Sequence, residues 1–223
     1  FIGIAAMLLS LYPVFAAGPA GKMTQPDFTK GDRIPEGAVH DWNLGATGAR
    51  GWMFSDKMVT SDARQIRITR VATGSPSDGL LEEGDVILGV GGNPFSYDPR
   101  TEFGKALVEA ESKAAKGALP LIRWRDGKTE NITLKLRVLG NYSKTAPYKC
   151  AKSKTILEQG CKILAAKIES PGYRENPITR SLNALALIAS GNPEFFPIFR
   201  KEVEWAAAYD NKSFQTWYYG YVI

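Results

Sequence analysis

The sequence predicts an α+β protein, a small β-barrel or sandwich with one long helix, followed by an all-α helical-hairpin segment. Three observations predict it. Short apolar/polar alternations bounded by Gly and Pro fill residues 41–140. A single helical apolar face interrupts them at residues 99–116. Beyond residue 141 the apolar residues recur with a helical period. With 223 residues, 44% of them apolar, the chain can bury one or two cores, which excludes a wholly disordered protein.

Residues 1–17, FIGIAAMLLSLYPVFAA, are almost wholly apolar, and Val14 and Ala16 stand three and one residues before a cut after Ala17. This is the pattern of a signal peptide, so the chain is expected to be exported to the periplasm or outside the cell. An uncleaved anchor is the alternative reading, weakened by Pro13 and by a length short of the roughly 20 apolar residues that span a bilayer. Phe1 is preceded by neither Met nor a basic segment, and the chain stops inside the apolar stretch around Trp217-Tyr218-Tyr219, so it reads as a fragment cut at both ends. Residues 18–40, rich in Gly and Pro without a period, read as a linker.

From residue 41 the elements follow in order. Ile66–Val71 alternates as a half-buried strand does, residues 74–79 (GSPSDG) are turn chemistry, and Val86–Val90 is a continuous apolar strand bounded by glycines. Residues 99–116 place Phe103, Ala106, Leu107 and Ala110 on one helical face, between Pro99 and Gly117. Residues 120–140 form two strands joined at Asp126-Gly127, a strong hairpin signal. The total is about five or six short strands and one clear helix. Helical spacing then puts Leu157, Cys161, Leu164 and Ile168 on one face up to Pro171-Gly172. Pro177 opens a second helix with Leu182, Leu185, Ala186 and Ala189 inward, and Gly191-Asn192-Pro193 leads to a third lined by Phe196, Phe199, Val203 and Ala207. The last two form an αα-hairpin, which cannot bury both faces alone and so suggests further helices.

Charge and composition exclude several functions. The formal charge is +5, but residues 41–140 carry 14 basic against 13 acidic side chains, which is no nucleic-acid footprint. The single histidine, His40, and two cysteines, Cys150 and Cys161, leave no zinc site, and no metal or other cofactor is expected. In an oxidising compartment a Cys150–Cys161 bond is chemically allowed. A helix starting near Ser153 would carry Cys161 about 12 Å along its axis, beyond the usual reach of a cystine. The alternative is a buried thiol on the helix face. A serine-protease triad is excluded because His40 lies in the linker and no Gly-x-Ser-x-Gly elbow is present.

The central block resembles a PDZ domain of the kind found in exported bacterial proteases and their relatives. The residues that carry the resemblance are Ile68-Thr69-Arg70-Val71, Gly74-Ser75-Pro76, the run from Gly79 through Gly84-Asp85-Val86-Ile87 to Val90, and Gly91-Gly92. The resemblance implies a domain over residues 41–140 that adds a peptide as a strand beside its long helix. It also implies that the peptide's terminal carboxylate sits on a loop matching Ala49-Arg50-Gly51-Trp52, with the amides of Arg50, Gly51 and Trp52 as donors and the Arg50 cation nearby. Trp52-Met53-Phe54-Ser55 would receive the peptide, and Phe103, Ala106 and Leu107 would wall the pocket. A closed groove, with Trp52, Phe103 and Leu107 as core residues, is the alternative. The helices of residues 141–223 resemble the opening of an α/α-toroid domain, and the whole chain resembles a family of exported bacterial proteins of unassigned function that join a PDZ domain to such helices.

The function expected from these readings is an exported module that binds peptide or protein C-termini or extended segments, with no nucleic-acid partner and no membrane contact after cleavage. The alternative is the regulatory part of an enzyme whose catalytic helical domain lies beyond residue 223. No catalytic motif is present in the chain itself. Replacing Gly51 by a β-branched residue is expected to abolish binding and leave the fold intact, because a loop that approaches a ligand closely has no room for a side chain.

Overall fold

The computed structural model describes residues 25–210 and 216–222; the expected signal peptide at residues 1–17 lies outside them. The chain divides into two compact units. The first is the chain up to Leu107 together with Leu119–Lys135, and the second is Val108–Ala118 together with the chain from Leu136 onward. The boundary expected at residue 140 therefore falls a few residues earlier, and the helix at 99–110 ends inside the second unit.

The first unit is built on a seven-stranded antiparallel sheet. Its strands are β1 (Trp42–Asn43), β2 (Ala49–Trp52), β3 (Ile66–Val71), β4 (Val86–Val90), β5 (Asn93–Pro94), β6 (Ala118–Arg125) and β7 (Lys128–Lys135). They lie in the order β1-β2-β3-β4-β6-β7, with β5 paired to β4. The strands read from the sequence are present, and β1 and β5, two residues each, are additions too short for any periodicity to reveal. The β6–β7 turn has Asp126 at φ 48° and Gly127 at φ 80°, the pair of positive angles that a two-residue hairpin needs. β3 buries Ile66 and Ile68 and turns Arg67 and Thr69 outward, as its alternation requires, while Val86 and Ile87 of β4 are both fully buried.

Helix α1 is Pro99–Ala110, shorter than the pattern through residue 116. The Gly117 amide returns to the Ala110 carbonyl at 2.8 Å, with Lys116 at φ 52° and Gly117 at φ 81°, so the chain has already reversed where the sequence pattern continues.

The linker expected over residues 18–40 is corrected for its described part. Phe28 is 2% exposed in a cluster with Trp52 and Val86, and Ile34 and Ala38 pack against it. Asp27 caps the turn Phe28–Lys30 and also accepts from Gln65 Nε2 at 2.8 Å, while Gln65 Oε1 takes the Phe28 amide. The bond from Gln65 and that from the Thr29 hydroxyl hold the Asp27 carboxyl far below the ordinary carboxylate range. A depressed folded-state value means that this contribution is complete above the unfolded value near 3.9 and disappears as the pH falls. Replacing Asp27 by alanine should lower the stability of the first unit by about 1 kcal/mol, read as a shifted denaturant midpoint with unchanged m-value.

The second unit is helical: α2 (Ala151–Glu169), α3 (Pro177–Ala189), α4 (Phe196–Ala207) and α5 (Trp217–Val222). Pro177 sits in the first turn of α3, as the sequence indicated, and Asn176 caps the helix by accepting from the Thr179 amide. Its core is Cys161, Ala165, Ile168, Leu187, Phe195 and Ile198. The expected inward faces are corrected in part: Leu157, Leu182, Leu185, Phe196 and Val203 are 45–56% exposed, and the buried stripe of α3 is Pro177, Ala184 and Leu187. α3 and α4 run antiparallel, since Arg180 near the start of one meets Glu202 near the end of the other at 2.6 Å. Cys150 and Cys161 are both free thiols.

Candidate functional site

The segment read as a carboxylate-binding loop is a strand with neighbours on both edges. β2 pairs with β3 through Ala49↔Val71, Arg50↔Arg70, Gly51↔Ile68 and Trp52↔Arg67. On its other edge it pairs with β1 through Trp42↔Gly51 and Asn43↔Arg50. Successive amides of an extended strand point to opposite edges, so those of Arg50, Gly51 and Trp52 do not converge on one hollow. The Leu44 amide donates to the Ala49 carbonyl at 3.0 Å, and counting back along the ladder sets the Gly51 amide against Trp42. The three-donor site is thereby corrected: β1 already uses the edge that a ligand would need.

Each expected site residue has a definite place. Arg50 is not a free cation: its Nε donates to Asp41 Oδ1 at 2.9 Å and its Nη2 to the Asp41 carbonyl at 3.1 Å. The other Asp41 oxygen accepts from the Thr69 hydroxyl at 2.7 Å. Arg50 first, and Thr69 after it, hold the Asp41 carboxyl below its ordinary range against the opposing effect of burial. Gly51 lies flat on the core, where an added Cβ would come within 2.4 Å of Ile66 Cγ2. Trp52 is 3% exposed, donates its indole N–H to the Ala38 carbonyl at 2.9 Å and meets the Phe28 ring edge-on at 5.7 Å. Met53 is buried and Phe54 half-buried, and residues 53–55 belong to no strand, so the expected receiving strand ends at Trp52. Phe103 is buried, and Ala106 and Leu107 are half-buried. For Trp52 and Phe103 the core alternative is the one observed.

Helix α1 nevertheless does stand over this edge. Arg100 in its first turn lies 3.8 Å above the Trp42 ring, and Leu107 Cδ1 lies 3.1 Å from where a Gly45 Cβ would be. The extended segment that α1 covers is thus the chain's own β1 with the turn that follows it, and β1 pairs with the edge of β2. His40 meets Trp42 edge-on at 4.6 Å on the same side of β1, while Asp41 points to the opposite side, toward Arg50 and Thr69. The residues that sequence reasoning missed are Asp41, Trp42, Thr69 and Arg100. The one available signal was Asp41-Trp42-Asn43 standing immediately before a Gly-x-x-Gly turn (Gly45, Gly48), which forms a hairpin.

Elsewhere, the first unit has a cavity of about 320 Å³ where Arg67 and Arg125 face Glu82, Glu83 and Asp126. In the second unit an apolar hollow of about 560 Å³ lies over the Arg180–Glu202 pair. Cys150 precedes the first turn of α2, where hydrogen bonds from the Ser153 hydroxyl and then the Ser143 amide push its thiol down to about 6. The thiol is buried, 6% exposed. Among the described residues no cluster of three His, Cys, Asp or Glu side chains could hold a metal, and no helix is long and apolar enough to cross a membrane.

No curated protein matches the chain in sequence. The helical part does match a family: residues 153–223, which begin just inside α2 and run through α5, are similar to the domain of unknown function DUF6288.

Proposed function

We propose that the first unit is a PDZ-like module that binds extended peptide segments by adding them as a strand to β2 beneath α1. The observation that carries the reading is that an extended segment, β1, lies antiparallel on that edge with its Trp42 ring under Arg100. Backbone pairing gives such a site affinity, and the side chains flanking the strand give it selectivity.

Recognition of a terminal carboxylate is no part of this reading. The Gly45 amide is taken by Asn43 Oδ1, that of Gly48 by the Gly45 carbonyl and that of Ala49 by Thr47 Oγ1. The turn before β2 therefore has few free donors for an anion. The ligand is an extended segment, C-terminal or internal, held through its main chain. Short synthetic peptides prepared as free acids and as amides test this by titration against the full chain. Equal Kd values for the two forms are expected, and a strong preference for the free acid would contradict the reading. Export belongs to the same proposal and is supported by the apolar run at residues 1–17. A reporter fused behind residues 1–24 should leave the cytoplasm, and its retention there would contradict export.

A further inference from the structure

We infer that β1 is a resident pseudo-ligand, which must leave the β2–α1 groove before an external segment can enter. Its side chains also define that segment: an acidic residue followed directly by an aromatic one. The inference rests on the strand-addition reading and adds its regulation and its partner chemistry.

The argument starts from how lightly β1 is held. It makes two residue pairs with β2, extended by the Leu44 amide on the Ala49 carbonyl, whereas β3 pairs with all four residues Ala49–Trp52 across a bulge between Arg50 and Gly51. A ladder of that length adds little by itself, so the side chains supply most of the hold. Asp41 is bound by Arg50 and Thr69, in an ion pair with side chains 24% and 38% exposed, and Trp42 is covered by Arg100. Pairs of this exposure and a single cation–π contact are each weak. The fit of Trp42 is also incomplete, because its indole N–H is buried without a partner. That orphaned donor favours release, since water can satisfy it outside the groove.

Glycines at positive φ flank the segment, whose Ala38 carbonyl accepts from the Trp52 indole and whose Leu44 is 4% exposed, so these holds too are broken when it leaves. Gly37 at φ 77° lies before it, and Gly45 at φ 63° and Gly48 at φ 76° lie in the turn behind it. Val39, between the first hinge and β1, is 91% exposed. When β1 departs it uncovers Arg50 and Thr69 on one side of the groove and Arg100 on the other. An incoming segment with the order acid–aromatic restores both sets of contacts, and one with a carbonyl or water placed to accept from its indole removes the orphan. The observed affinity for any such segment is reduced by the small fraction of molecules in which β1 is out.

Two variants of the full chain and one probe, a capped synthetic peptide copying Ala38–Leu44, test this. Asp41→Ala combined with Trp42→Ala weakens β1 and leaves the groove residues intact, so the probe should bind about tenfold more tightly than to the unaltered chain. Asn43→Cys combined with Arg50→Cys places thiols on facing residues of a non-hydrogen-bonded pair, where a disulfide can close. The reduced form, which lacks Arg50, should bind the probe more weakly than the unaltered chain but measurably, and the oxidised form should not bind it. This second comparison is internal to one protein and holds even where the first variant folds poorly. Equal binding by the oxidised and reduced forms, or unchanged affinity in a folded Asp41→Ala/Trp42→Ala chain, would overturn the pseudo-ligand while leaving peptide binding in place. Absence of probe binding to every form, the weakened one included, would remove the strand-addition reading and this inference with it. A probe with the acid and aromatic exchanged in order should bind at least tenfold more weakly, and equal binding would overturn the partner chemistry.

Discussion

Replacing Gly51 by valine should unfold or severely weaken the first unit, with a loss of about 3 kcal/mol or more. The Cβ alone would stand 2.4 Å from Ile66 Cγ2 and 3.3 Å from the Arg67 carbonyl. Ile66 is fully buried, so it has no space into which to turn, and the carbonyl belongs to the neighbouring strand β3. The two branched methyls would add further overlap. Urea unfolding followed by the amide signals of β3 measures the effect. This outcome reverses the expectation drawn from the sequence, which gave the substitution a role in binding and none in folding. Gly51 is needed for close packing of β2 on its own core. A variant with near-normal stability would show that β2 stands further from β3 than the register indicates.

The second large effect is expected at Glu202. Its side chain is 6% exposed and accepts from Arg180 Nε at 2.7 Å and Nη2 at 2.6 Å, while the Arg180 guanidinium lies 3.8 Å over the Trp205 ring. Glu202→Ala leaves that guanidinium largely buried without a counter-charge, for which the loss is about 3–5 kcal/mol. Paired replacement of Arg180 by Met and Glu202 by Leu removes both charges and should recover most of it. Thermal unfolding of the three proteins, followed by the near-ultraviolet signal of Trp205 and its neighbours, separates these outcomes. Equal losses in the single and double variants would mean that shape, not charge, is what the pair contributes.

How much of the fold was legible depended on whether a signal was periodic. β3, β4, the β6–β7 hairpin and the start of α1 were readable because alternation, glycine brackets and Pro99 each reflect a local preference. The start of α3 at Pro177 was readable for the same reason. The inward faces of α3 and α4 were not. Leu182 and Leu185 lie on one apolar side and Ala184 and Leu187 on another, and the choice between them is made by neighbouring helices that periodicity does not specify. Phe28 anchors its segment as an isolated aromatic among Gly, Pro and charges, which composition alone reads as linker.

The expected carboxylate loop was misread in its parts. The resemblance supplied a loop at Arg50–Trp52, where the chain instead has a strand to whose edge the two-residue β1 has added itself. Nothing in Trp42-Asn43 distinguishes a strand from a coil, because two residues have no period. The contacts of Asp41 with Arg50 and Thr69 and of Trp42 with Arg100 span 9 to 58 positions in sequence, and only the folded chain brings them together.

The most direct test is to follow the backbone amides of the isotope-labelled chain by NMR while the peptide copying Ala38–Leu44 is added. The expected result is that the largest changes fall on Ala49–Trp52 and on the α1 residues from Pro99 to Leu107, and that Trp42 moves toward the shift of an unpaired residue as it is displaced. Changes confined to the exposed edge at β7, with Trp42 and Gly51 unmoved at saturation, would contradict a groove between β2 and α1.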